Sequence, residues 1–148
     1  MLNNDYGWQQ ELKSRYPDML AKIHSFEHGK GWKDILEVLF NQIQRFEAVM
    51  LFNKQYKTES KEDWSSIVTD EQPYTKIVFA QIKEKFGGIR IYYDGGDHQT
   101  VRNLVREAEN LADITCESCG ATDFVKKQNN RGWIYTSCDS DNCKRPNR

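Results

Sequence analysis

No apolar run in this chain approaches the roughly 20 residues that a membrane-spanning helix requires. The opening residues, Met1 to Gly7, have neither a basic start nor a hydrophobic stretch, so nothing marks the chain for export and the expected location is cytoplasmic. Net charge is nearly absent: 21 basic side chains against 22 acidic ones leave −1, which removes any global electrostatic hold on nucleic acid. Histidine is scarce, at 3, and no nucleophile–base pairing can be read from spacing. Cysteine is scarce too, but its 4 residues all lie in the last 33 positions.

Those cysteines fall in two close pairs. Cys116-Glu117-Ser118-Cys119-Gly120 places two thiols around a turn, and 18 residues later comes Cys138-Asp139-Ser140-Asp141-Asn142-Cys143. Four soft thiolates, separated by enough chain for a short hairpin, form the pattern of a structural Zn2+ site in a ribbon-like module. The alternatives are two disulfides, disfavoured in a chain expected inside a cell, or four inert thiols. A site closed by Cys116, Cys119, Cys138 and Cys143 has no open position for substrate and would contribute folding energy.

With 148 residues, the chain can carry one domain and a metal-stapled appendage; the division expected is 1–113 and 114–148. Apolar positions Trp8, Leu12, Tyr16, Leu20 and Ile23 predict one or two short helices interrupted at Pro17. His24 and His28 sit four apart with no third ligand nearby, and read as a polar helix end. Trp32, Ile35, Leu36, Leu39, Phe40, Ile43 and Phe46 trace the clearest amphipathic helix. Residues 53–74 are polar and aperiodic and read as a long loop, with Trp64 as an anchor. Two strands, Lys76–Glu84 (its apolar half Ile77–Phe79) and Ile89–Tyr93, should pair across Gly87-Gly88, which reads as a hairpin turn better than as a phosphate cradle. Asp97 is placed to cap a last helix bearing Val101, Leu104, Val105, Ala108, Leu111 and Ala112 on one face. The fold class expected is α+β: N-terminal helices packed on a β-hairpin and a following helix, then a zinc ribbon closed by the four cysteines.

Asp94, Asp97 and His98 are the only local carboxylate–histidine cluster, and Asp-Gly-Gly-Asp is also an ordinary turn; no catalytic residue is assigned. Arg102 and Arg106 lie on the solvent face of the last helix. With Arg90, Lys126, Lys127 and Arg131 they offer a basic surface, and Trp133 and Tyr135 offer rings for stacking.

The string Gln81-Ile-Lys-Glu-Lys-Phe-Gly-Gly-Ile-Arg-Ile-Tyr-Tyr93, the helix containing Ala108-Glu109, Cys116-Glu-Ser-Cys119-Gly120, Gly132-Trp133, Thr136 and Cys138 resemble a group of small, largely uncharacterised phage and bacterial proteins. The resemblance covers roughly residues 76–143. It implies a zinc-binding module fused to a hairpin–helix unit in a mobile-element setting, hence a host cytoplasm, and it carries no catalytic residue over. The expected function is a non-enzymatic binding protein docking on a host macromolecule, such as a defence or regulatory complex. A protein partner is favoured, met through Trp64, Arg90, Arg102, Arg106, Lys126, Lys127, Arg131 and Trp133, because Trp, Tyr and Arg dominate binding hot spots. The alternatives are a zinc-ribbon nucleic-acid binder and a small metal-dependent hydrolase or nuclease.

Overall fold

The structure, a computed structural model, describes residues 7–59 and 73–144. Helix α1 (Gly7–Arg15) buries Trp8, Gln9 and Leu12. Only one of the two possible helices around Pro17 forms. Beyond Tyr16 the chain runs through turns, closed by Leu20 N–H to Tyr16 O at 3.0 Å and Ile23 N–H to Leu20 O at 3.1 Å. The backbone groups a second helix would use are claimed by the sheet instead. Phe79 donates to Met19 O at 2.9 Å, Glu27 donates to Ile82 O at 3.0 Å, and Glu84 donates to Glu27 O at 2.9 Å. Buried Gln9 extends this edge, its amide bonding both Phe26 N (2.9 Å) and Phe26 O (3.3 Å) as a strand would.

His28 is therefore not at a helix end, as its spacing from His24 suggested. It follows the Glu27–Lys83 bridge and packs among Trp8, Phe26 and Trp32, with ring centroids 5.5–5.9 Å away. Its Nδ1 donates to Gly29 O at 2.8 Å, while Nε2 is buried with no hydrogen-bond partner among the described residues. Burial pushes its pKa down from 6.5 to about 4, against a small opposing effect of the Gly29 carbonyl. The unfolded chain thus takes up this proton first as pH falls. The contribution of His28 is fully present above about pH 6.5 and is lost as pH drops toward 4, roughly 3 kcal/mol in all. Urea melts of the wild type and of His28→Phe between pH 7 and 4.5 should show a shallower pH slope for the variant. Parallel slopes would remove this role from His28.

A 3₁₀ turn (Lys30–Trp32) leads into helix α2 (Lys33–Glu59). Trp32, Leu36, Leu39, Phe40 and Ile43 are almost fully buried, with Ile35 and Phe46 packed at the margin, so the predicted stripe is the core. The helix continues past Asn53, where a loop was expected. No glycine or proline interrupts 51–59, and Lys, Gln and Glu are good helix formers, so propagation outlasts the apolar stripe. Trp64 and the rest of the expected loop from 60 to 72 lie outside the described residues.

Strands β1 (Val78–Lys85) and β2 (Gly88–Asp94) pair antiparallel, with a bulge between Phe79 and Gln81. The turn sits one residue earlier than Gly87-Gly88 implied. Gly88 pairs with Lys85, and the two turn residues are Phe86 (φ 55°) and Gly87 (φ 81°), both left-handed as the twist of a tight hairpin demands. Helix α3 (Gln99–Ala112) is capped by His98, whose Nδ1 accepts from Thr100 N–H at 3.0 Å. Asp97, the expected cap, instead pairs with Arg102 at 2.7 Å. Val101, Val105, Ala108 and Ala112 face the core, Leu104 lies at its edge, and Leu111 is exposed. Strands β3 (Lys126–Asn130) and β4 (Trp133–Ser137) form a second antiparallel hairpin. The architecture is α+β, with a four-cysteine cluster at its C-terminal end. No helix among the described residues is long and apolar enough to cross a membrane.

Candidate metal centre

Helix α3 delivers the first cysteine pair directly. Its last turn closes through Thr115 Oγ1 to Leu111 O at 2.6 Å, and Cys116 follows. Cys116 N–H donates to Ala121 O at 2.8 Å, and Gly120 N–H donates to Cys116 O at 2.9 Å, with Gly120 at φ 85°. That turn aims both sulfurs to one side. The second pair has two extra residues, and they are absorbed by a further turn. Cys143 and Lys144 both donate to Ser140 O, at 3.0 and 3.2 Å, which folds Cys143 back toward Cys138. The β3–β4 hairpin fills the interval and brings the two turns together.

The four sulfurs lie within 4.8 Å of one another, and Cys119 Sγ is 3.8 Å from Cys138 Sγ. No disulfide joins them. An ion with four thiolates at about 2.3 Å in a tetrahedron puts its sulfurs about 3.8 Å apart, so the cluster has the dimensions of a single-ion cage. Cys116, Cys138 and Cys143 are buried, Cys119 is exposed, and Ala121 and Val125 pack around them. Burial pushes the Cys116 thiol up, but N–H groups of Cys119, Cys138 and Ser118 outweigh it and bring its pKa down to about 7. Burial and the neighbouring thiols push Cys143 above its ordinary value. Four sulfurs this close ionise together only around a cation. The cluster can hold a metal ion, and it is the only such group among the described residues.

The cluster is tied into the body of the protein at two places. At the start of α2, Gly29 N–H donates to Glu117 Oε2 at 2.8 Å, Gly31 N–H to Glu117 O at 2.7 Å, and Trp32 Nε1–H to Thr115 O at 2.9 Å. At the tip of the β1–β2 hairpin, Lys127 Nζ donates to Gly87 O (2.7 Å), Asp113 Oδ1 (2.9 Å) and Thr136 Oγ1 (2.8 Å). Sequence reading missed both ties. Gly29-Lys30-Gly31 has the composition of a turn, but its partner stands 88 residues away and no periodicity marks it.

The other candidate residues are spread out. Arg90, Arg106, Lys126 and Arg131 are exposed, Arg131 in the β3–β4 turn at φ 56°. Arg102 is held by Asp97, Lys127 is engaged internally, and half-buried Trp133 stacks on Tyr135 at 5.1 Å. Asp94, Asp97 and His98 do not converge: Asp94 lies 3.6 Å from Lys22, and His98 caps α3 against the Phe46 ring, 4.8 Å away. Glu109 has its pKa raised by burial, with Arg106 and Arg90 opposing. Compared with models of known families, with curated proteins and with solved structures, the chain matches none.

Proposed function

We propose that Cys116, Cys119, Cys138 and Cys143 hold one structural Zn2+ and that the chain is a non-enzymatic binding protein of phage type, docking on a protein of the host cell. The donor set supports zinc, because four thiolates with no open position suit a structural ion and leave no place for substrate. The observation that carries the docking reading is the exposure of two phenylalanines in left-handed backbone. Phe86 is 62% exposed at the hairpin tip, and Phe124 is 82% exposed beside the cysteine cluster. Each conformation is costly for a residue with a Cβ, and neither ring is buried in return. Exposed aromatic side chains and arginines are what a protein interface uses as anchors, and this surface also exposes Arg90 and Arg131. The host partner would be a defence or regulatory complex.

The test has two parts. Metal analysis of purified protein should find one zinc per chain; a metal-free protein that stays folded with four titratable thiols would end the zinc assignment. Phe86→Gly keeps the turn, because glycine adopts φ 55° freely, and removes only the ring. That variant and Arg131→Glu should each lose at least tenfold in capture of a partner from host lysate while melting within a degree or two of wild type. Full capture by both variants would refute docking through this surface. A nucleic-acid reading rests on exposed Arg90, Arg106, Lys126 and Arg131. It predicts a mobility shift of labelled DNA or RNA that weakens steeply with salt.

A further inference from the structure

The four sulfurs are not equivalent, and the difference is chemical as well as geometric. Cys116, Cys138 and Cys143 are buried, and only Cys119 opens to solvent. Cys119 Sγ receives the Ala121 N–H at a long 3.4 Å. Burial shields a thiolate from an incoming electrophile, so among four ligand thiolates the one open to solvent reacts first. Cys138 Sγ stands 3.8 Å away, within reach of an oxidised Cys119 sulfur.

Building on the zinc assignment above, we infer that Cys119 is the reactive thiolate of the cluster, a site of modification by peroxides and alkylating electrophiles. Its oxidation expels the metal by forming a Cys119–Cys138 disulfide. The Cys119 thiolate attacks hydrogen peroxide, the O–O bond breaks, and a sulfenic acid and hydroxide form. The Cys138 thiolate then attacks that sulfur, the S–S bond forms, and a second hydroxide leaves. Two electrons pass from the sulfur pair to the peroxide, and the ion departs as Zn2+ with its charge unchanged. Because Cys119 and Cys138 belong to different pairs, the bond takes one ligand from each turn and leaves Cys116 and Cys143 as thiols, too few to retain zinc.

The experiment uses full-length protein whose zinc content has first been measured. Substoichiometric N-ethylmaleimide followed by peptide analysis should place most of the label on Cys119. A modest excess of hydrogen peroxide should release zinc to a colorimetric chelator in step with loss of two thiols, and the disulfide peptide should join Cys119 to Cys138. A thiol reductant with added zinc should restore both. First labelling at Cys138 or Cys143, or a disulfide within either close pair, overturns the inference; so does zinc that stays bound while peroxide is consumed. Protein purified without zinc faults the metal assignment instead, and the order of labelling still decides whether Cys119 is the reactive sulfur.

Discussion

Chelating the proposed zinc is expected to unfasten the protein around Gly29–Trp32 as well as in its last third. Structural zinc bound by thiolates contributes on the order of 10 kcal/mol to the fold of the segment that holds it, so residues 114–144 should lose their order first. The effect continues into α2, because the backbone of 115–117 accepts from Gly31 N–H and Trp32 Nε1–H and the Glu117 side chain accepts from Gly29 N–H. Amide exchange at Gly29 and Gly31 should accelerate at least tenfold on chelation, and Trp32 emission should shift to the red. Lys127 falls away with β3, so the Gly87 carbonyl becomes exposed and the hairpin tip should also lose protection. Protection at Gly29, Gly31 and the β1–β2 tip that is unchanged in metal-free protein would show the cluster to be an independent appendage.

Gly31→Ala should produce the second large effect, and with all four cysteines left unsubstituted. A Cβ at residue 31 would stand 2.2 Å from Cys116 O and 2.5 Å from Glu117 O and C. These are backbone atoms of the first cysteine turn, so no side chain can rotate out of the way. Either Trp32, which is fully buried, leaves its place or the turn is pushed off the helix start. Overpacking of this kind costs about 1–3 kcal/mol or more, and loss of three hydrogen bonds adds about 1 kcal/mol each. A drop of at least about 3 kcal/mol in a urea melt is therefore expected, with faster zinc loss to a competing chelator. A variant that melts with the wild type and keeps its zinc would mean that the two segments part at little cost.

Periodicity and spacing made much of this legible. The stripe from Trp32 to Phe46 is read directly from its three-and-four rhythm, and the cysteine pairs from their separation, because each signal is local. What escaped depends on partners distant in sequence. His28 looked like a helix end until the sheet edge at Ile82 and Glu84 claimed the backbone around it. Phe86 carries a left-handed φ although two glycines follow, because strand register and not composition decides where the turn falls. Lys127 reads as surface charge on a strand of polar residues, and only the arrival of Gly87 and Asp113 makes it a fastener.

The distance in sequence between Gly29 and Glu117 has a consequence for synthesis. A ribosome releases the amphipathic stripe of α2 long before it makes residues 115–117, so the segment leading into that helix emerges with its Gly29 and Gly31 amides and the Trp32 indole unanswered. Contacts spanning 83 and 88 residues form only after most of the chain is out, and they are late to reward the loop closure they require. Until then the aromatic cluster around His28 and Trp32 lacks one wall. With the proposed ion in place, metal supply would bear on this late step of folding: the helices and first hairpin can assemble beforehand, and the seam between residues 29–32 and 115–117 closes once the ion is bound.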